Sequence, residues 1–227
     1  MSKIKKIKFF VIILFWVVAG LTGYRMVTQY FYENATLKRI IQRLEADSRA
    51  AEVLVTGVNY NETDHKTYTT IKFLEYDTKG QALQPKYFTF SGNIIQFQSL
   101  VIRFDDLYIR RGDKFKGKSA YLFWKVFILD GKNTQVYDIV RVNEIPGGYK
   151  LKNQKNPFEE RLWQDFWNYA LDPLKAQKFG IKNAQIEAPG TMFVPGNLYT
   201  IKIEHDGGMR INSKLLPEIL KGEQIPR

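Results

Sequence analysis

Two histidines are the only imidazoles in the chain, and each sits beside a carboxylate, in Asp64-His65 and His205-Asp206. Imidazole and carboxylate together can ligate zinc. A zinc site needs three or four donors at set spacings, and no such motif flanks either pair. Both pairs therefore read as surface turns, and no metal or other cofactor is expected. Asp105-Asp106 and Glu159-Glu160 are adjacent acidic pairs. Hydrolysis between two carboxylates requires acids placed on either side of a bond, so such an enzyme would draw its second acid from elsewhere in the chain. The sequence contains no cysteine nucleophile, Gly-x-Ser-x-Gly elbow, phosphate loop or dinucleotide fingerprint. The expectation is a protein without catalytic activity, with a tethered carboxylate hydrolase as the third reading.

Binding chemistry has more candidates. Trp163, Phe166, Trp167 and Tyr169 enrich one segment in rings. Ring faces stack on sugars, so Trp163 and Trp167 are glycan-contact candidates. Aromatics at helical spacing also build cores, and that is the preferred reading. Arg110, Arg111, Lys114, Lys116 and Lys118 form a basic stretch between two apolar strands. It could meet phosphate headgroups or an anionic polymer, or be a solvated loop. Arg111-Gly112-Asp113 is read as ordinary turn chemistry. Asn34-Ala35-Thr36 and Asn61-Glu62-Thr63 match the glycosylation acceptor pattern.

The elements that position these residues begin with a membrane signal. Lys3, Lys5, Lys6 and Lys8 precede an uncharged run from Phe9 to Tyr24, which Arg25 closes. A basic start before an apolar run predicts that the N-terminus stays in the cytoplasm and the rest lies outside it. Sixteen residues span about 24 Å as a helix, short of a hydrocarbon core of about 30 Å. The anchor is therefore set at residues 9–28, with Lys8 and Arg25 snorkelling at its flanks. Tyr24, Tyr30, Phe31 and Tyr32 would form the outer interfacial belt. Val18-Ala19-Gly20 offers a small-residue cleavage site, so a signal peptide is the rival reading.

Charge follows the same division. The net charge is +11, of which +7 falls in residues 1–43 and +4 in the remainder. A nucleic-acid partner is not expected from so mild a surplus on the folded part. Cysteine is absent, so packing alone must hold the fold.

Leu37, Ile41 and Leu44 recur at heptad spacing within a helix expected over residues 29–51. They would be the seam of a homodimeric neck, or the packing face of a stalk helix. From residue 52 the apolar period switches to two. Nine or ten strands follow to residue 214, and Tyr121–Leu129, apolar on both faces, is placed centrally. Asn156-Pro157 starts a helical insertion over 157–179. Residues 215–227 form a tail.

The predicted fold is a mainly β, antiparallel sandwich or barrel-like domain behind an N-terminal transmembrane helix. The predicted role is a single-pass envelope scaffold or assembly component, with lipid and other envelope proteins as partners. The second reading is a tethered module that binds an anionic polymer, glycan or lipid.

Overall fold

The computed structural model describes residues 3–44, 49–77, 79–104, 119–130, 133–150, 157–172, 174, 181–204 and 208–217. The chain forms two compact units, Met1–Ile40 and Ile41–Arg227.

Helix α1 runs from Lys3 to Leu44, 42 residues, about 63 Å at 1.5 Å per residue. Within it, Lys8–Tyr32 is long and apolar enough to cross a membrane. Those 25 residues cover about 38 Å, more than the hydrocarbon core requires. The span is longer than expected because neither Arg25 nor the glycines interrupt the helix. Thr22 and Thr28 turn their hydroxyls back onto the helix, bonding Val18 O and Tyr24 O at 2.9 Å. Both threonine hydroxyls are thereby satisfied within the helix. Length and composition fit an anchor and a signal sequence alike.

The second unit is mainly β, in two antiparallel sheets. The first has strand order β10-β9-β1-β2-β3, from β1 (Arg49–Asn61), β2 (Lys66–Glu75), β3 (Lys86–Ser91), β9 (Asn197–Ile203) and β10 (Met209–Leu215). The second has order β6-β5-β4-β7, with β8 also pairing β4. Its strands are β4 (Ile94–Phe104), β5 (Ser119–Asp130), β6 (Asn133–Asp138), β7 (Ile181–Glu187) and β8 (Gly190–Met192). Strand β5 lies between two partners, as its two apolar faces imply. One edge of β4 receives β8 at Ile94–Gln96 and β7 at Ser99–Phe104. Ala188-Pro189 separates those two partners, because proline has no N–H for a ladder. Pro189 still accepts from Phe97 N at 3.2 Å.

Alternation buries one face of each strand. In β2, Thr69, Ile71 and Phe73 are buried, and in β9 Tyr199, Ile201 and Ile203. The buried faces of the two sheets meet through rings. Phe73 of β2 stacks on Phe97 of β4 at 5.6 Å and meets Phe123 of β5 edge-on at 5.5 Å. Tyr137 of β6 lies against Phe88 and Phe90 of β3.

Side chains also close strand edges. Tyr137 Oη donates to Thr89 O at 2.8 Å, and Ser91 N donates to Gln135 Oε1 at 2.8 Å. Lys86 Nζ donates to Ile139 O. Across the domain, Met209 N of β10 donates to Glu187 Oε2 of β7 at 3.1 Å. Such bonds occupy some of the edge groups that would otherwise be open to pairing.

Two boundaries differ from the sequence reading. The helix ends at Leu44, and β1 already pairs at Arg49↔Ile203 and Ala51↔Glu75, because Ala51 and Val53 share one buried face. Strand β6 ends at Asp138, not Val142. Beyond it the chain turns inward, and Ile139 N and Val140 N both donate to Trp124 O at 2.8 and 3.2 Å. Helix α2 covers Pro157–Leu171, and most of the remainder of the expected insertion, 173 and 175–179, lies outside the described residues.

Candidate functional site

The outer face of the second sheet is where exposed apolar side chains collect. On β4, Ile95 and Phe97 point inward and are fully buried, so Ile94 and Gln96 point outward. On β5, Val126 and Ile128 are buried, so Phe127 and Leu129 point outward. Register then assembles the surface. Gln96 pairs Phe127, Phe127 pairs Val136 of β6, and Ile94 pairs Met192 of β8. Ile94 and Leu129 each lie two residues beyond the Gln96↔Phe127 pair.

These side chains are open. Relative exposure is 59% for Ile94, 65% for Leu129, 47% for Val136 and 54% for Met192. Together with the half-buried Phe127 they present on the order of 400 Å² of apolar surface, as much as a typical monomer leaves in its largest patch. Gly190 keeps the surface continuous. It sits opposite Gln96, and a Cβ there would meet Gln96 Cγ at 2.6 Å, so Gln96 lies flat across β8. The border is polar, formed by Gln98 and by Lys125 paired with Asp138. Lys125 Nζ lies 4.7 Å over the Trp124 ring.

The other end of the same face is covered over β4 and β5, while Ile186 of β7, paired with Leu100, stays half exposed. Leu100, Leu122 and Trp124 point outward there and are buried. Helix α2 supplies Trp163, Phe166, Trp167 and Ala170, all buried. Trp167 meets Trp124 at 6.2 Å between centroids, and its Nε1 donates to Glu144 O at 2.9 Å. Tyr149 packs on Trp163 at 5.2 Å. Its hydroxyl accepts from Tyr121 N at 3.3 Å and donates to Tyr121 O at 2.8 Å. It thereby completes β5 beyond the point where β6 stops.

The outer face of the first sheet sets basic side chains around the half-buried Leu54, Leu74 and Leu198. Lys72, Lys202, Arg210 and Lys214 lie on it, with Glu52 and Glu204 as its acids. Lys202 and Arg210 are directly opposed across β9 and β10. Tyr76 Oη donates to Glu52 Oε2 at 2.6 Å, and that bond, reinforced by burial and by the Glu52 charge, pushes the phenol up to about 12. Tyr68 donates to Asp64 Oδ2 at 2.5 Å and its phenol is raised for the same leading reason.

The residues singled out from sequence fall as follows. Trp163 and Trp167 are 1% and 0% exposed, so neither offers a ring face for a sugar, and the aromatic helix is core in this conformation. His65 sits at positive φ, 55°, and its Nδ1 bonds the Tyr60 hydroxyl at 3.1 Å. His205 lies outside the described residues. No group of three or more His, Cys, Asp or Glu converges among the described residues. The basic stretch Arg110, Arg111, Lys114, Lys116 and Lys118, with Asp105-Asp106, also lies outside them. Leu37, Ile41 and Leu44 are on α1 by backbone. Lys8 and Arg25 are on the same helix, at the start of and within the apolar span.

Sequence reading missed the aliphatic end of the second sheet. Its signal was present: Phe127 and Leu129 alternate with Val126 and Ile128 in a strand apolar on both faces. That pattern places the strand centrally in its sheet and says nothing of what covers its outer face. No family model, curated protein or solved structure matches the chain.

Proposed function

We propose that this protein is a single-pass, membrane-tethered scaffold or assembly component of a cell envelope, acting through protein–protein contacts and not through catalysis. In this reading Lys8–Tyr32 is retained as the anchor, the basic start stays cytoplasmic, and the β unit packs as a sandwich outside. Lysines crowd one end of the apolar helix, in the sense expected for a cytoplasmic N-terminus. The observation that carries the functional half is the bare aliphatic end of the second sheet. The largest exposed apolar patch of a monomer is often functional, and a polar rim around it favours a contact site. Tethering confines the domain to a surface and raises its effective concentration toward other membrane partners, so modest affinity suffices.

A photo-crosslinking amino acid at Leu129, in full-length chain expressed in cells, tests this. Protein adducts at Leu129, absent at Lys72, are expected. Adducts with lipid alone, or none, would overturn the scaffold reading.

The second reading, a tethered module for an anionic polymer or headgroup, is favoured by the first sheet. Lys202 facing Arg210 is a like-charge pair, which costs stability until an anion screens it. Substituting both with Gln would abolish retention on an anionic matrix if that reading holds, and leave it unchanged if it does not.

A further inference from the structure

We propose that the β9–β10 edge of the first sheet is a membrane-contact surface, lying edge-on against the anionic phospholipid headgroups of the bilayer that tethers the chain. This rests on the second reading above and names its anion. Strand β10 is an end strand of its sheet, and alternation divides it into two rows. Arg210, Asn212 and Lys214 are exposed on the outer face, each about 7 Å from the next. Lys202 of β9 is exposed and directly opposite Arg210. Three cations therefore fall within about 14 Å. Of the two acids on that face, Glu52 lies on β1 and accepts the Tyr76 hydroxyl, so Glu204 is the acid nearest the edge.

The other row of β10 selects a lipid surface over a soluble polymer. It ends at Leu215, which is 75% exposed. An aliphatic side chain beside lysine and arginine suits a headgroup layer. The apolar group enters the acyl boundary, and the long cations reach up to phosphate. A polyanion would meet the cations and leave Leu215 in water. A phosphate between Lys202 and Arg210 relieves their repulsion, and the guanidinium can hold it by two hydrogen bonds. The tether keeps that surface within reach. Ala50, opposite Lys202 on β1, follows Tyr32 by eighteen residues, which extend to at most about 60 Å. Headgroups are thus held at high effective concentration. The contact uses the first sheet and leaves the aliphatic end of the second free for a protein.

The chain has no cysteine, so single substitutions give clean probes. Full-length Asn212→Cys, labelled with a fluorophore, is reconstituted in nanodiscs whose headgroups carry a quencher. One set of discs is zwitterionic, and the other contains phosphatidylglycerol. Quenching is expected to rise several-fold with the anionic lipid. It should fall back in salt that shortens the Debye length from about 10 Å to about 3 Å. Lys202→Gln with Arg210→Gln should also abolish the rise. A label at Lys72→Cys, three strands in from β10, should change far less.

Equal quenching in the two lipids, or a rise at Lys72 as large as at Asn212, overturns the edge-on proposal. Retention on the anionic matrix then separates two failures. Retention that the double Gln variant loses leaves the second reading standing with a soluble polyanion as its ligand, whereas retention that this variant keeps removes both.

Discussion

The two ends of one sheet face differ in what covers them, not in what they are made of. Leu100, Leu122 and Trp124 at one end are buried. Ile94, Leu129, Val136 and Met192 at the other are each about half exposed. Both ends lie on one face of β4 and β5, although the β5 alternation shifts by one residue at the bulge opposite Gln98 and Ser99. At the covered end, α2 and Tyr149 supply rings and hydrogen bonds that complete the strand. At the bare end, the described chain supplies nothing. Apolar patterning therefore fixes which residues leave the water, but not whether this chain or another covers them. The strand edges carry the same lesson in polar form, since Tyr137, Gln135 and Glu187 tie them internally while the aliphatic end stays open.

The sharpest way to break this contrast is to truncate one residue at each end. Trp167→Ala should cost about 3–5 kcal/mol, as loss of a fully buried ring does. Leu129→Ala should change stability by less than about 0.5 kcal/mol, as exposed positions do. Denaturant unfolding of the two variants measures both, and equal losses would erase the distinction.

Tyr149→Phe should cost about 1–2 kcal/mol, because it removes the hydroxyl that bonds both the N–H and the C=O of Tyr121. Hydrogen exchange at Tyr121 should accelerate while Phe127 is unaffected, which would localise the effect to the covered end.

The smallest effect belongs to the first sheet. Tyr76 holds its proton up to about pH 12 in the folded state, against about 10 when unfolded. Its bond to Glu52 therefore contributes fully below about pH 10 and is lost as pH rises toward 12. Tyr76→Phe should be less stable than the parent by under about 1 kcal/mol at pH 8, given its partial exposure. That difference should vanish by pH 12. A difference that grows with pH would contradict the assignment.

Much of the fold was legible. The strands Lys86–Ser91, Ile94–Phe104 and Asn197–Ile203 follow from period-two patterning and from Gly92 and Gly196, both at positive φ. Tertiary pairing set what patterning could not. Ala51 continues the heptad spacing of Leu37, Ile41 and Leu44 and so reads as helix, yet Ala50 and Ala51 pair with Lys202 and Ile201. Ile139 and Val140 look like strand, yet they fold onto Trp124. The role of Trp163 and Trp167 was half legible: their spacing put them on a helix, and only the contacts with Tyr149 and Trp124 show them as core. The aliphatic face stayed hidden because a strand apolar on both sides reads the same whether or not its second side has a cover.

The central claim is that another protein surface covers this face in the working state. Carbene footprinting of the full-length chain measures that directly, comparing intact membranes with the same chain diluted in detergent. The peptides carrying Ile94, Leu129 and Met192 should be protected in the membrane and label freely on dilution, while the Lys72 peptide labels equally in both. Equal labelling of Ile94, Leu129 and Met192 in the two states would contradict the account.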